Sequence, residues 1–118
     1  MDLLIDPDRV HKDTYTVFLA ALWFYMTPQA PKMSIHDVAS GHFKPTDVDI
    51  KNGLVNGFGI TTSIINGGLE CSKPGQEEDI RSAYRVMTFK HLLEWFGLPE
   101  EDEETMGCKD LPRLWAWA

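Results

Sequence analysis

The chain has 118 residues, of which 43% are hydrophobic and 25% are charged. This length suits one folded domain with one core and is too short for two. The formal net charge of −7 argues against a nucleic-acid partner, because phosphate groups would repel the protein.

Neither a membrane segment nor a signal peptide is visible in the sequence. The longest apolar run, residues 17–26, is about half of the roughly 20 residues that a helix needs to span a bilayer. Asp2 follows Met1 directly, without the basic and then apolar leader of a secreted precursor. We therefore expect no membrane partner.

The first long helix is predicted from Asp13 or Thr14 to about Met26. Either residue can serve as the N-cap, since each carries a side-chain oxygen that accepts backbone hydrogen bonds. Pro28 and Pro31 end the helix. Its residues are apolar on every side, which predicts a central, buried helix rather than a surface helix.

Two shorter helical segments are predicted next. Ser34 is a good N-cap for a helix that reaches about Ser40 and is stopped by Gly41. The following stretch is predicted to be an irregular loop with a helical turn near residues 46–50.

Residues 57–65 are predicted to form a further helix that ends at Gly67 and Gly68. The β-branched residues of this segment weaken the helix prediction. A strand over residues 60–65 is the competing interpretation.

The last long helix is predicted from Glu77 to Phe96. Acidic residues favour a helix N-terminus, and Gly97 followed by Pro99 is typical of a helix end. A buried apolar stripe is predicted along it, formed by Ile80, Tyr84, Met87, Leu92 and Trp95. The acidic run at residues 100–104 is predicted to be a solvated loop.

Cysteine and histidine residues give weaker signals. Cys71 and Cys108 permit one disulfide, but two separate thiols are equally compatible with the composition. His36 and His42 could approach a metal, although scattered imidazoles are more often surface or hydrogen-bonded residues. We expect neither a metal nor another cofactor.

Three segments of the chain resemble the glycoside hydrolase family 19 (plant-type) chitinases, in the same order and with similar spacing. The middle segment, Asn66-Gly67-Gly68-Leu69-Glu70-Cys71, is the most specific. The others are Trp23-Phe24-Tyr25-Met26-Thr27-Pro28-Gln29 with Lys32 and Ser34-Ile35-His36-Asp37-Val38, and Arg81-Ser82-Ala83-Tyr84-Arg85 with Phe89-Lys90.

The resemblance implies a mainly α fold of the lysozyme-like superfamily, in which this chain is the C-terminal lobe of a two-lobed domain. Residues 1–110 would be this partial catalytic domain and residues 111–118 a C-terminal tail containing Trp115 and Trp117. The implied partners are chitin or chito-oligosaccharides and the N-terminal lobe of the same domain. The implied location is extracellular or in the secretory compartment.

The resemblance also assigns roles to individual residues. Glu70 and Arg85 match an ion-pair network that supports the catalytic acid, and Cys71 and Cys108 match a disulfide. Ser63 departs from the family, whose members usually have Asn there. The positions that match substrate-contacting residues are Gln29, Lys32, Ile65 and Asn66.

The catalytic glutamates of the family have no counterpart in this sequence. They lie in the N-terminal half of the family's domain, the acid in a His-Glu-Thr-Thr segment, and this chain contains no His-Glu pair. We therefore expect the chain alone to be inactive. The alternatives are a non-catalytic chitinase-like module that binds chito-oligosaccharides and, less favoured, a lobe of a peptidoglycan hydrolase.

Overall fold

The computed structural model describes residues 2–114. Helices account for all the regular structure in this range, and no strand occurs within it, as the mainly α prediction requires. No helix in this range is both long and apolar enough to cross a membrane. The helices are α1 (Arg9–Lys12), α2 (Thr14–Met26), α3 (Ile35–Ala39), α4 (Asp47–Lys51), α5 (Phe58–Glu70), α6 (Ile80–Trp95) and α7 (Glu103–Met106).

Helix α2 begins and ends where the sequence predicts, but it is not buried. The Asp13 carboxylate accepts hydrogen bonds from the backbone N–H groups of Tyr15 and Thr16, which confirms the N-cap. Phe24 packs against the core and Thr16 is buried. Most of the remaining apolar side chains are exposed, because the described part of the chain covers only one side of the helix.

The predicted short helices α3 and α4 are confirmed, and side chains cap both. The Ser34 hydroxyl accepts a hydrogen bond from the backbone N–H of Asp37 at 3.0 Å. Thr46 and Asp49 form a reciprocal capping box, in which each side chain accepts from the other residue's backbone N–H. These caps satisfy donors that a helix N-terminus leaves without partners.

Helix α5 lies at the centre of the molecule, and the competing strand prediction is wrong. The helix contacts α3, α6 and α7, and its Ile60 and Ile64 are buried. The core cluster consists of Val38, Leu54, Ile60, Ile64, Cys71, Cys108, Leu111 and Leu114.

Two of the three glycines of α5, Gly59 and Gly67, lie in close contact with neighbouring atoms. The predicted helix over residues 57–65 matches the regular stretch before Asn66, but helical structure resumes beyond the kink and continues through Gly67 and Gly68 to Glu70. A Cβ atom on Gly67 would lie 2.8 Å from the Ser63 hydroxyl oxygen, so a larger residue would clash there. The irregularity lies one residue before Gly67, at Asn66, whose backbone dihedrals of φ −145° and ψ 29° are not helical.

Helix α6 ends as predicted but begins later and buries different residues. Asp79 is its N-cap and accepts from the backbone N–H of Arg81, while Gly97, at φ +64°, follows the helix. The predicted apolar stripe is exposed at every position, so its burial is wrong. The buried positions are Ser82 and Leu93, because these side chains point toward the rest of the chain.

A disulfide fastens the C-terminal segment to the end of α5. The sulfur atoms of Cys71 and Cys108 are 2.10 Å apart, which confirms the pairing that the resemblance implied. Leu111 and Leu114, beyond the disulfide, are buried in the core. The division of the chain at residue 110 stays a prediction, and Trp115 and Trp117 lie outside the described residues.

The acidic run at residues 100–104 is exposed but partly structured. Its last residues begin α7, whose Met106 is buried. The Glu101 carboxylate accepts a hydrogen bond from the backbone N–H of Phe58 at 3.0 Å, at the first turn of α5. Glu103 forms an ion pair with Lys90 of α6. The run therefore joins two helices as well as facing solvent.

Candidate functional site

A hydrogen-bonded network connects the kink in α5 to α6. The Arg85 guanidinium donates to both carboxylate oxygens of Glu70, with Nε at 2.8 Å from Oε2 and Nη2 at 3.0 Å from Oε1. The Asn66 amide Nδ2 donates to the same carboxylate, at 2.7 Å from Oε1. Glu70 therefore accepts three hydrogen bonds and fixes both partners.

Glu70 is a buried carboxylate that the network holds ionised. Its side chain has no exposed surface, whereas 37% of the Arg85 side chain is exposed. The hydrogen bonds from Arg85 lower the pKa of Glu70, and the hydrogen bond from Asn66 and the charge of Arg81 act in the same direction. Burial opposes this shift, but the net pKa lies below the ordinary value.

Asn66 occupies the position where α5 departs from helical geometry. The bond to Glu70, four residues later, holds its carboxamide in place. Asn66 is half-buried, and the side chain of the preceding residue, Ile65, is exposed. The kink thus places an amide beside an apolar side chain at the protein surface.

Lys32 ties the loop after α2 to the same part of α5. Its ammonium Nζ lies 3.3 Å from the carbonyl oxygen of Ser63 and 3.0 Å from that of Ile64. Burial lowers the pKa of Lys32. Because the two carbonyls come just before Ile65 and Asn66, Lys32 holds the backbone of α5 in place immediately before the kink.

Gln29 lies in the same loop, at the other end of a tight turn. Its backbone carbonyl accepts a hydrogen bond from the Lys32 backbone N–H at 2.8 Å. Its side-chain amide donates to the Thr27 carbonyl at 3.1 Å. The structure therefore joins Asn66, Glu70 and Arg85 by hydrogen bonds. It places Lys32 on the backbone just before the kink, and Gln29 is attached to Lys32 through the loop backbone.

Arg81 is a charged neighbour of the network that the sequence interpretation missed. Its guanidinium binds the Asp79 carboxylate through Nε and Nη2, both at 2.8 Å, and its charge contributes to the low pKa of Glu70. Arg81 precedes Arg85 by four residues, a spacing that places both on one face of α6. This four-residue spacing was the sequence feature from which the proximity of Arg81 to the network could have been predicted.

The two histidines weighed as metal ligands pack against each other. The ring centroids of His36 and His42 are 6.1 Å apart, and the Ser40 hydroxyl is 2.6 Å from Nδ1 of His42. Within residues 2–114, no group of three or more His, Cys, Asp or Glu side chains is arranged to hold a metal ion.

The profile of the family described as "Chitinase class I" matches residues 1–106. The chain belongs to the chitinase class I family. It is 47% identical to "Inactive chitinase-like protein 2" of Hevea brasiliensis over 98 residues, or 83% of this chain. It is 45% identical to "Endochitinase CH25" of Brassica napus over 97 residues, or 82% of this chain. "Endochitinase" of Avena sativa is 46% identical over 97 residues, or 82% of this chain. The aligned regions are 28%, 29% and 47% of these three relatives' lengths.

The buried carboxylate of Glu70 is poorly suited to donate a proton, as the catalytic acid of a chitinase must. A general acid must be protonated when the reaction begins, which requires a raised pKa. The Arg85 contact lowers the pKa of Glu70 and keeps it ionised. Glu70 is therefore chemically suited to neutralise and orient arginine rather than to protonate a leaving group.

Proposed function

We propose that this chain is part of a chitinase catalytic domain and forms one wall of its chitin-binding cleft. Gln29, Lys32, Ile65 and Asn66 contact N-acetylglucosamine units of the polymer in this proposal. The observation that carries it is that two groups meet at the kink of α5: Lys32, bonded to the Ile64 carbonyl, and Asn66, bonded to Glu70.

The chemistry of these groups suits a neutral, N-acetylated sugar. A carboxamide such as Asn66 offers both a donor and an acceptor, which match an acetamido group or a hydroxyl. The exposed Ile65 side chain supplies apolar contact beside it. The amide is held by Glu70 before any ligand arrives, so little conformational entropy is lost on binding.

Hydrolysis in this proposal depends on residues that the chain does not supply. The family cleaves β-1,4 bonds of chitin with inversion, which needs a protonated carboxylic acid and a second carboxylate roughly 6.5–9.5 Å away. Glu70 is occupied by Arg85, and the acidic residues 100–104 are exposed on a different part of the chain. The N-terminal lobe of the domain would supply the acid and the base.

A non-catalytic chitinase-like module that binds chito-oligosaccharides is the second candidate. The observation that favours it is the similarity to two Hevea brasiliensis proteins named as inactive chitinase-like proteins, at 47% and 46% identity. Either candidate is compatible with an extracellular or secretory location, which the Cys71–Cys108 disulfide supports because such bonds persist in oxidising compartments.

The sugar-binding proposal is tested by NMR titration of the chain with chitotetraose. We expect the side-chain amides of Gln29 and Asn66 and the backbone signals near Lys32 to shift together. Asn66→Ala should weaken binding by about 10-fold, because a bond to the sugar and the fixed amide are lost together. The matched control is Asn56→Ala, which removes an exposed asparagine in the loop before α5. Equal affinity for both variants would contradict the proposed site.

Activity assays separate the binding role from a catalytic one. We expect the purified chain to release no sugar from chitin or soluble chito-oligosaccharides. Release that disappears in Glu70→Gln would instead show that Glu70 is the catalytic acid. A chain that binds chitotetraose without cleaving it fits both candidates, and an upstream coding sequence with an in-frame His-Glu motif would then favour the partial enzyme.

A further inference from the structure

All three asparagines of this chain are followed by glycine, the pair of residues in which asparagine most readily loses its side-chain ammonia. Glycine has no side chain to shield its backbone nitrogen, and it adopts the backbone conformations that the reaction needs at little cost. The pairs are Asn52-Gly53, Asn56-Gly57 and Asn66-Gly67. Because they share this feature, the glycine alone cannot rank them, but their structural surroundings can.

Asn66 is protected by its own contacts. Its amide Nδ2 is 2.7 Å from Oε1 of Glu70, and Gly67 is buried within α5. The side chain must leave Glu70, and the backbone must leave the helix, before the nitrogen of Gly67 can reach the side-chain carbonyl carbon. Deamidation at Asn66 therefore requires local opening of the structure.

Asn52 is exposed but held at the end of α4. Its backbone N–H donates to the carbonyls of Val48 and Asp49, at 3.0 and 3.1 Å. The N–H of Gly53, which carries the nitrogen that would react, donates to the Ile50 carbonyl at 2.9 Å. The last turn of α4 must therefore fray before Asn52 can react.

Asn56 is exposed and has no comparable constraint. It lies in the loop between α4 and α5. Within residues 2–114, neither its carboxamide nor the Gly57 N–H forms a hydrogen bond. It borders an open groove of about 380 Å³, lined also by Glu101 and Thr105, so solvent reaches it. Reaction at Asn56 breaks no hydrogen bond of the folded chain.

We propose that Asn56 is a modification site, at which the folded chain undergoes spontaneous deamidation. The Gly57 backbone nitrogen gives its proton to solvent and attacks the side-chain carbonyl carbon of Asn56. A carbon–nitrogen bond forms, the bond to the side-chain nitrogen breaks, and ammonia leaves with a proton taken from water. Water then opens the resulting succinimide ring at either carbonyl and gives aspartate or isoaspartate. One water is consumed, one ammonia is released, and nothing is oxidised or reduced.

The modification changes the start of α5. Either product adds a negative charge to the groove that Glu101 lines, and Glu101 accepts the hydrogen bond from the Phe58 N–H. Isoaspartate also adds one carbon to the main chain directly before Gly57. The backbone has little room to shift there, because a Cβ on Gly57 would lie 2.6 Å from the Cβ of Thr105. Isoaspartate at this position therefore strains the contact with Thr105 and lowers the stability of the fold.

Peptide mapping by mass spectrometry, after incubation of the chain in mildly alkaline buffer, tests the site. The rate at each asparagine is divided by its rate in the chain unfolded in guanidinium chloride, which removes the effect of neighbouring residues. We expect this relative rate to be at least about 5-fold higher at Asn56 than at Asn52 or Asn66, which must first break hydrogen bonds. Equal relative rates, or a higher rate at Asn52 or Asn66, would overturn the proposal.

Asn56→Gln is the matched variant, because glutamine keeps the carboxamide but forms the corresponding larger ring far more slowly. The incubated unmodified chain should unfold at a lower urea concentration than the fresh chain, and Asn56→Gln should retain its midpoint. An equal loss of stability in both would show that modification of Asn56 is not the cause. No sugar enters these measurements, so this proposal and the proposed chitin-binding function fail independently.

Discussion

Glu70 shows how a buried charge can be maintained at the centre of a hydrogen-bonded network. Arg85 supplies two of its three hydrogen bonds and the compensating charge, and Asn66 supplies the third. Without these contacts a carboxylate with no exposed surface would take up a proton. The same contacts fix the amide of Asn66, so the charge of Glu70 and the position of this amide depend on each other.

The low pKa of Glu70 makes stability depend on pH. Its ordinary value is 4.5, and the folded value is lower. The ionised pair therefore contributes fully above about pH 4.5, and its contribution is lost as the pH falls through the lower folded pKa. We expect the denaturation midpoint to be independent of this pair above about pH 4.5 and to decline with acidity below it, and Glu70→Gln to flatten this decline.

Glu70→Gln should also lower the free energy of unfolding at neutral pH, by roughly 2–3 kcal/mol. This is below the usual range for breaking a buried ion pair, because water partly screens the 37% exposed Arg85 side chain. Urea unfolding measures the change. Glu104→Gln, which alters an exposed carboxylate, is the control, and an equal loss in both variants would contradict the role of the network.

At the scale of elements, α5 depends on close contact with the segment after α7. The backbone of Gly59 lies against the carbonyl of Gly107, and a Cβ atom at Gly59 would collide with that oxygen. Gly68, in the same helix, faces open space. Identical substitutions at these two glycines therefore separate packing from helix propensity.

We expect Gly59→Ala to destabilise the protein by roughly 1–3 kcal/mol, since backbone atoms must move to admit the methyl group. Gly68→Ala should be neutral or stabilising by up to about 1 kcal/mol, because alanine favours a helix and nothing obstructs it. Thermal or urea unfolding of the two variants measures both effects. Similar destabilisation by both would show that the Gly107 contact is not the cause.

Short sequence patterns predicted the ends of the helices better than they predicted which helix faces are buried. The caps at Asp13 and Ser34 and the end at Gly97 follow from one or two residues, so the sequence was sufficient for them. Burial of α2 and of the α6 stripe depends on what packs against each helix. An apolar pattern identifies a face that favours burial, but it cannot show whether the same chain covers it.

The site was predicted only in part from the residues themselves. Asn66 before two glycines is usual for a helix end, and only the resemblance to a family marked it as a binding residue. The Lys32 contacts with carbonyls of Ser63 and Ile64 join positions about 30 residues apart, which no local pattern encodes. The role of Glu101 at the start of α5 was missed for the same reason.

At the scale of the whole molecule, the disulfide joins the central helix to the C-terminal segment. Cys71 and Cys108 are separated by 37 residues, and all of α6 lies between them. Closing a loop of this size stabilises the folded state by about 4 kcal/mol in the chain-entropy model. Replacing both cysteines by serine should lower the free energy of unfolding by about this amount and so lower the urea midpoint. An unchanged midpoint would show that core contacts alone hold the C-terminal segment in place.

The same covalent loop determines how the protein would behave when a protease cuts it. The turn at Pro74, Gly75 and Gln76 is exposed and lies inside the loop, before α6 begins. A single cleavage there leaves two fragments that remain linked through sulfur. On a denaturing gel the nicked protein should migrate as one band without reductant and as two bands after reduction.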